Sequence, residues 1–108
     1  MTVETAPVQR EALEALLRGG LQTEWTRRAY GDDDIAAVTR ELDALDPDDV
    51  EGRLRVAGFT LQPYQREGAT IEESCRTCMY YARHREWCWL PALKLPVKAE
   101  WSCRLWRI

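Results

Sequence analysis

Cys75-Arg76-Thr77-Cys78-Met79-Tyr80-Tyr81, followed by Cys88 and Cys103, is the stretch on which the fold of this chain turns. Its spacing is Cys75-x2-Cys78-x9-Cys88-x14-Cys103, and no cysteine stands outside it. Two thiolates separated by two residues can bind one metal through a tight turn, and two more complete a four-sulfur set. Tetrahedral sulfur coordination suits zinc or an iron–sulfur cluster. Buried thiols or two disulfides are the plainer alternatives, but they leave the confinement of all four cysteines to residues 75–103 unexplained.

The surrounding segment, 75–108, differs from the rest of the chain. It holds the single histidine and six of the ten aromatic residues, Tyr80, Tyr81, Trp87, Trp89, Trp101 and Trp106. Pro91 and Pro96 exclude a long regular helix between Trp89 and Val97. The segment therefore reads as a small irregular module organised by metal, with Cys75, Cys78, Cys88 and Cys103 as ligands. Zinc ribbons usually present two close cysteine pairs, whereas here Cys88 and Cys103 stand alone. Single, widely spaced thiolates suit a cubane, which needs one at each of its four corners. Tyr80, Trp87, Trp89 and Trp101 lie within two residues of a cysteine and are the expected shields of a cluster against water. They are equally the aromatic core that any small metal module needs, so zinc stays open.

In its order of cysteines and its following tyrosine, this segment resembles the cluster-binding region of high-potential iron–sulfur proteins. It is also similar to the small subunits of some glycyl-radical enzymes, such as benzylsuccinate synthase and hydroxyphenylacetate decarboxylase. The resemblance implies a four-iron four-sulfur cluster on Cys75, Cys78, Cys88 and Cys103, a shielding role for Tyr80, and work in electron transport or as an accessory subunit. It covers residues 75–103, with a shorter Cys78–Cys88 gap than is usual in those families.

Working outward, residues 1–62 read as a mainly α part with three to four short helices, joined to the cysteine module by a loop over 63–74. Thr5 is a candidate cap for a helix with Val8, Ala12, Leu13, Leu16 and Leu17 on its apolar stripe, ended by Gly19 and Gly20. A weaker helical segment is expected over Thr23 to Tyr30. Asp32-Asp33-Asp34 places acids at a helix N-terminus, with Ile35, Val38, Leu42 and Leu45 buried. Asp46-Pro47-Asp48-Asp49 starts another helix, with Val50 and Leu54 inward and Gly58 as its stop, although Leu54-Arg55-Val56 also alternates like a strand. The acids from Asp32 to Glu51 do not match the spacing of a calcium loop and read as a solvated helical face.

The 108 residues carry a net charge of −3 that conceals an asymmetry. Residues 1–74 hold 8 Lys/Arg against 16 Asp/Glu, while residues 75–108 hold 7 against 2. Opposite signs predict docking of one half on the other, or a basic face offered to an acidic partner. Basic residues interleaved with aromatics also allow nucleic-acid binding, though the acidic whole argues against it. His84, between Arg83 and Arg85, reads as a surface residue. No apolar run is long enough for a membrane span, and Met1 to Glu14 has early acids without an apolar stretch. These features predict a cytoplasmic protein, where reduced thiols favour metal over disulfides. No phosphate loop, dinucleotide fingerprint or serine–histidine–acid set is visible, and a Cys75–Cys78 redox pair lacks its usual strand–helix setting. The sequence thus predicts a small iron–sulfur protein that serves a protein partner or larger complex and is not an enzyme. The alternative is a zinc-stabilised module that binds protein or nucleic acid.

Overall fold

A computed structural model describes the backbone of residues 5–107 and the side chains of residues 8–107. Three helices come first, α1 (Thr5–Arg18), α2 (Asp32–Asp43) and α3 (Val50–Ala57). They are followed by a single 3-10 turn over Cys75–Thr77 and a three-stranded antiparallel sheet in the order β1 (Tyr81–Ala82), β2 (Trp87–Cys88), β3 (Leu95–Pro96). The sheet registers Tyr81 opposite Cys88, and Cys88 opposite Leu95. The cap expected at Thr5 falls on a side chain outside the described residues, as do Met1–Glu4 of the N-terminal reading.

Helix α2 begins at the acidic run, with Asp32, Asp33 and Asp34 in its first turn and no side-chain capping bond. The acids act there through the helix dipole. Helix α3 has a true cap, because the Asp49 carboxylate accepts the Gly52 N–H at 2.8 Å. It ends at Gly58, which adopts a left-handed φ of 69°. A Cβ at Gly58 would come within 3.0 Å of the backbone of Glu24 and Trp25, so both conformation and close approach require glycine. Leu54-Arg55-Val56 is helical, which removes the strand alternative.

The structure departs from the sequence reading in three places. Thr23 to Tyr30 is not helical: Glu24 N–H donates to the Arg55 carbonyl and Ala29 N–H to the Arg104 carbonyl, so its backbone bonds across the fold. The stripe of α1 is narrower than its periodicity implies, with Leu13 buried and Leu17 partly so, while Val8 and Leu16 face solvent. The C-terminal segment is not wholly irregular, since the three short strands run through it.

Between α3 and the 3-10 turn the chain is a loop tied by isolated bridges, Thr60 to Ser102 and Tyr64 to Glu73. One core of described residues spans both halves: Leu13, Leu54, Ala57 and Phe59 bury against Leu93, Leu95, Val97 and Trp101. Trp101 meets the Phe59 ring edge-on, with centroids 6.5 Å apart. Polar ties reinforce the joint. Arg10 of α1 donates from Nε to the Val97 carbonyl and from Nη2 to those of Arg85 and Glu86, which gathers the β1–β2 turn.

Charge is compensated partly inside the molecule. Lys98 pairs with Glu14 at 2.9 Å, Arg104 with Glu41 at 3.5 Å, and Arg107 with Asp32 at 3.3 Å. Each of these joins the basic segment to an acidic helix. Among the described residues Arg76, Arg83, Arg85 and Lys94 are exposed and make no ion pair.

Candidate metal centre

The four cysteines reach one place from three separate backbone features. Cys75 opens the 3-10 turn, and the Cys78 N–H closes that turn on the Cys75 carbonyl at 3.0 Å. The turn is docked on the C-terminal segment, because Cys75 N–H donates to the Trp101 carbonyl at 2.7 Å and Arg76 N–H to the Ala99 carbonyl at 3.0 Å. That pairing brings Cys103, two residues past Trp101, to the same side. Cys88 arrives on β2 opposite Tyr81, whose own N–H donates to the Cys78 carbonyl at 3.2 Å. All four side chains line a single cavity, and none is in a disulfide.

The rest of the cavity wall is Phe59, Tyr81, Trp106 and Ser74. The cavity is small, with about 20 Å³ free to a water-sized body. Cys75, Cys88 and Cys103 are buried and Cys78 is half-buried. Burial pushes the Cys88 thiol up to about 11, against the lowering effect of a Leu90 N–H that donates to it. Burial likewise raises Cys103 strongly, opposed by a bond from the Leu105 N–H. Cys75 is raised well above the ordinary thiol value by burial and then by the neighbouring Cys103, Cys88 and Cys78. Without a cation these three thiols stay protonated at neutral pH, and a metal that binds them displaces protons.

The residues fit a thiolate-bound metal by their chemistry. Four soft donors line one cavity whose wall is otherwise mostly apolar, and the backbones of Leu90 and Leu105 act to lower the thiol values of Cys88 and Cys103, as outer-shell donors do for metal-bound thiolates. Among the described residues no group of three or more His, Cys, Asp or Glu side chains is placed to hold a single metal ion.

The aromatic shields expected from the sequence are located elsewhere. Trp101 is 1% exposed but belongs to the core, and it serves the site through its carbonyl on Cys75. Tyr80 is half-buried and accepts the Trp89 N–H on its carbonyl at 2.8 Å; Trp89 itself is exposed, with Arg85 stacked over its ring. Trp87 packs near Trp89 with centroids 6.0 Å apart. The rings on the cavity are instead Tyr81, Trp106 and Phe59. For Trp87, proximity in sequence misleads because residues adjacent along a strand, here Trp87 and Cys88 of β2, face opposite ways. The useful signal was spacing: Tyr81 and Trp106 each follow a cysteine by three residues.

Behind the site lies a buried polar network with no signature in the sequence. Glu73, 2% exposed, takes Arg28 at 2.7 Å on one oxygen and the Tyr30 hydroxyl at 2.6 Å on the other. Arg28 also donates to the Cys103 carbonyl at 3.0 Å and stacks over Tyr64. Glu73 precedes the Ser74-Cys75 turn, so one ion pair links the loops that carry Cys75 and Cys103. His84 is exposed and takes no part. No helix among the described residues is long and apolar enough to cross a membrane. Comparison with protein-family models, with curated proteins and with solved structures finds no match to this chain.

Proposed function

We propose that this protein is a small iron–sulfur protein, an electron carrier or accessory subunit, with a four-iron four-sulfur cluster on Cys75, Cys78, Cys88 and Cys103. The observation that carries the reading is the convergence of four cysteines, from a turn, a strand and a C-terminal segment, on one cavity walled by Phe59, Tyr81 and Trp106. A single tetrahedral zinc draws its sulfurs to about 3.8 Å from one another, given a zinc–sulfur bond of about 2.3 Å. Among the described residues no group of three or more His, Cys, Asp or Glu is placed to hold a metal ion, so either centre requires the thiols to shift on loading. A cubane spreads its thiolates over four irons, so ligands that approach from separate loops suit it.

When bound, such a cluster supplies one-electron chemistry, with a potential set by hydrogen bonds to sulfur and by exclusion of water. The chain's part is to hold the ligands, donate from Leu90 and Leu105, and keep water out with its rings. Half-buried Cys78 is the most open ligand, and exposed Met79 and Trp89 flank ligand positions with Arg85 beside them. A protein partner with an acidic rim matches that surface. A cytoplasmic location, where thiols stay reduced and available to metal, goes with this reading.

One observation favours a second reading, a zinc-stabilised binding module: the space free to a water-sized body is only about 20 Å³, which suits one ion. Metal analysis and visible absorbance of protein purified without oxygen separate the two. Brown protein with four irons per chain supports the cluster. Colourless protein with one zinc overturns it and makes the centre structural.

A further inference from the structure

The wall of the cysteine cavity contains one polar side chain that is not a cysteine or a tyrosine, Ser74. It is 1% exposed, and its O–H donates to no acceptor among the described residues. Its backbone, by contrast, is fully engaged. The Ser74 N–H donates to Thr77 Oγ1 at 3.3 Å, and its carbonyl accepts the Thr77 N–H at 3.1 Å. The residue stands at the N-terminal end of the Cys75–Thr77 turn in a capping box with Thr77, where its oxygen faces the Thr77 N–H as an acceptor and its own O–H is left without one. Two other hydroxyls of this region are committed: Thr77 Oγ1 donates to the Glu72 carbonyl and accepts from Trp106 Nε1, while Ser102 Oγ donates to the Gln62 carbonyl. Both oxygens of neighbouring Glu73 are taken by Arg28 and Tyr30.

A buried O–H with no acceptor is costly and rare, and it points to an acceptor that occupies the cavity. Apart from the Tyr81 hydroxyl, the candidate acceptors within the cavity are sulfurs. We infer that Ser74 is a positioning residue of the centre, whose O–H donates to a sulfur of the bound cluster or of a ligating thiolate. The inference rests on the cluster reading above. A donor at sulfur stabilises the more negative, reduced state, so Ser74 raises the reduction potential.

The test uses the full chain purified without oxygen as wild type, Ser74→Ala, Ser74→Thr and Ser74→Val, with iron content and redox titration read on each. Thr and Val share a shape and differ by the hydroxyl, so this pair isolates the hydrogen bond even where Ala disturbs packing. The expected result is equal iron content, a potential near wild type for Ser74→Thr, and a shift to more negative potential for Ser74→Ala and Ser74→Val. Unchanged potentials across the series, with the cluster intact, overturn this inference and leave the cluster reading standing. Loss of the cluster in Thr and Val alike also overturns it, because the role is then one of fit. Zinc in place of iron in the wild type overturns both.

Discussion

Residues 5–58 bury their backbone polar groups mostly in helices, while residues 59–107 have only three two-residue strands and one turn to do so. In the first region the partners are four residues away. In the second, local turn bonds alternate with distant ones, such as Met79 N–H on the Arg107 carbonyl at 2.7 Å and Val97 N–H on that of Glu86 at 2.9 Å. A local scheme survives small displacements. A scheme of single long-range bonds needs its loops held together by something else. In the second region two candidates for that role stand side by side, the sulfur-lined cavity and the Arg28–Glu73 pair behind it. The two halves are nevertheless one energetic unit, because Leu13 and Leu54 bury against Leu95, Val97 and Trp101.

The sharpest way to break this contrast is to remove the centre. Replacing Cys75, Cys88 or Cys103 by serine is expected to abolish metal binding and unfold the second region, at a cost on the order of 10 kcal/mol if the metal contributes as structural zinc does. Because the core is shared, helicity of the first region should fall with it, as read by circular dichroism. Full helicity in a metal-free variant would show that the helices stand without their partner layer. Metal-free protein should also lose stability as pH rises. Burial raises Cys75, Cys88 and Cys103 in the folded chain above their unfolded value, so their contribution is whole below about pH 8.5 and declines as pH climbs past it.

Next in size is the pair behind the centre. Arg28→Ala or Glu73→Ala leaves one buried charge alone and should cost about 3–5 kcal/mol in urea unfolding of the metal-loaded protein. Loss of under a third of that would mean that the loops are held by the metal alone. Tyr30 adds a pH signature, since burial and then the Glu73 carboxylate raise its hydroxyl above the ordinary value. That contribution is present below about pH 10 and is lost as pH rises through the raised value, and Tyr30→Phe should remove the dependence.

What could be read from the sequence follows the same division. Asp32–Asp34, the run Asp46-Pro47-Asp48-Asp49 and Gly58 announced α2 and α3 because caps, acids and a left-handed glycine act within a turn of their own position, although α3 starts only at Val50, so that Pro47 precedes its first turn. The cysteines could be read as a group because of their spacing, although their convergence depends on Cys75 pairing with Trp101. Glu73 could not be read at all: its carboxylate looks like any surface acid until Arg28 and Tyr30 arrive from more than 40 residues away. Thr23 to Tyr30 failed as a helix for the same reason, since its bonds are made with Arg55 and Arg104.

Gly58→Ala probes the local side of the contrast. It forces a left-handed backbone on alanine and a Cβ against the Glu24 backbone, so a loss of about 1–2 kcal/mol is expected, with metal content unchanged. Metal loss in this variant would mean that the end of α3 also sets the position of Phe59 on the cavity wall.

The smallest effect belongs to Glu14, where the two regions meet at the surface. Its carboxyl is held below the usual carboxylate range by the bond from Lys98, and then by that from Arg18. A folded pKa below the unfolded one gives a contribution that is complete above about pH 4.3 and is lost as pH falls through the lowered value. Glu14 is a surface group, and such pairs are weak and screened by salt. Glu14→Gln should therefore lower the unfolding midpoint only slightly at neutral pH and low salt, and not at all in high salt or strong acid. A larger loss that persists in salt would show that the Lys98 contact orients α1 over β3. In that case the second region would depend on a side-chain tie from the first, and the division between local and long-range support would move from the α3–loop junction into α1.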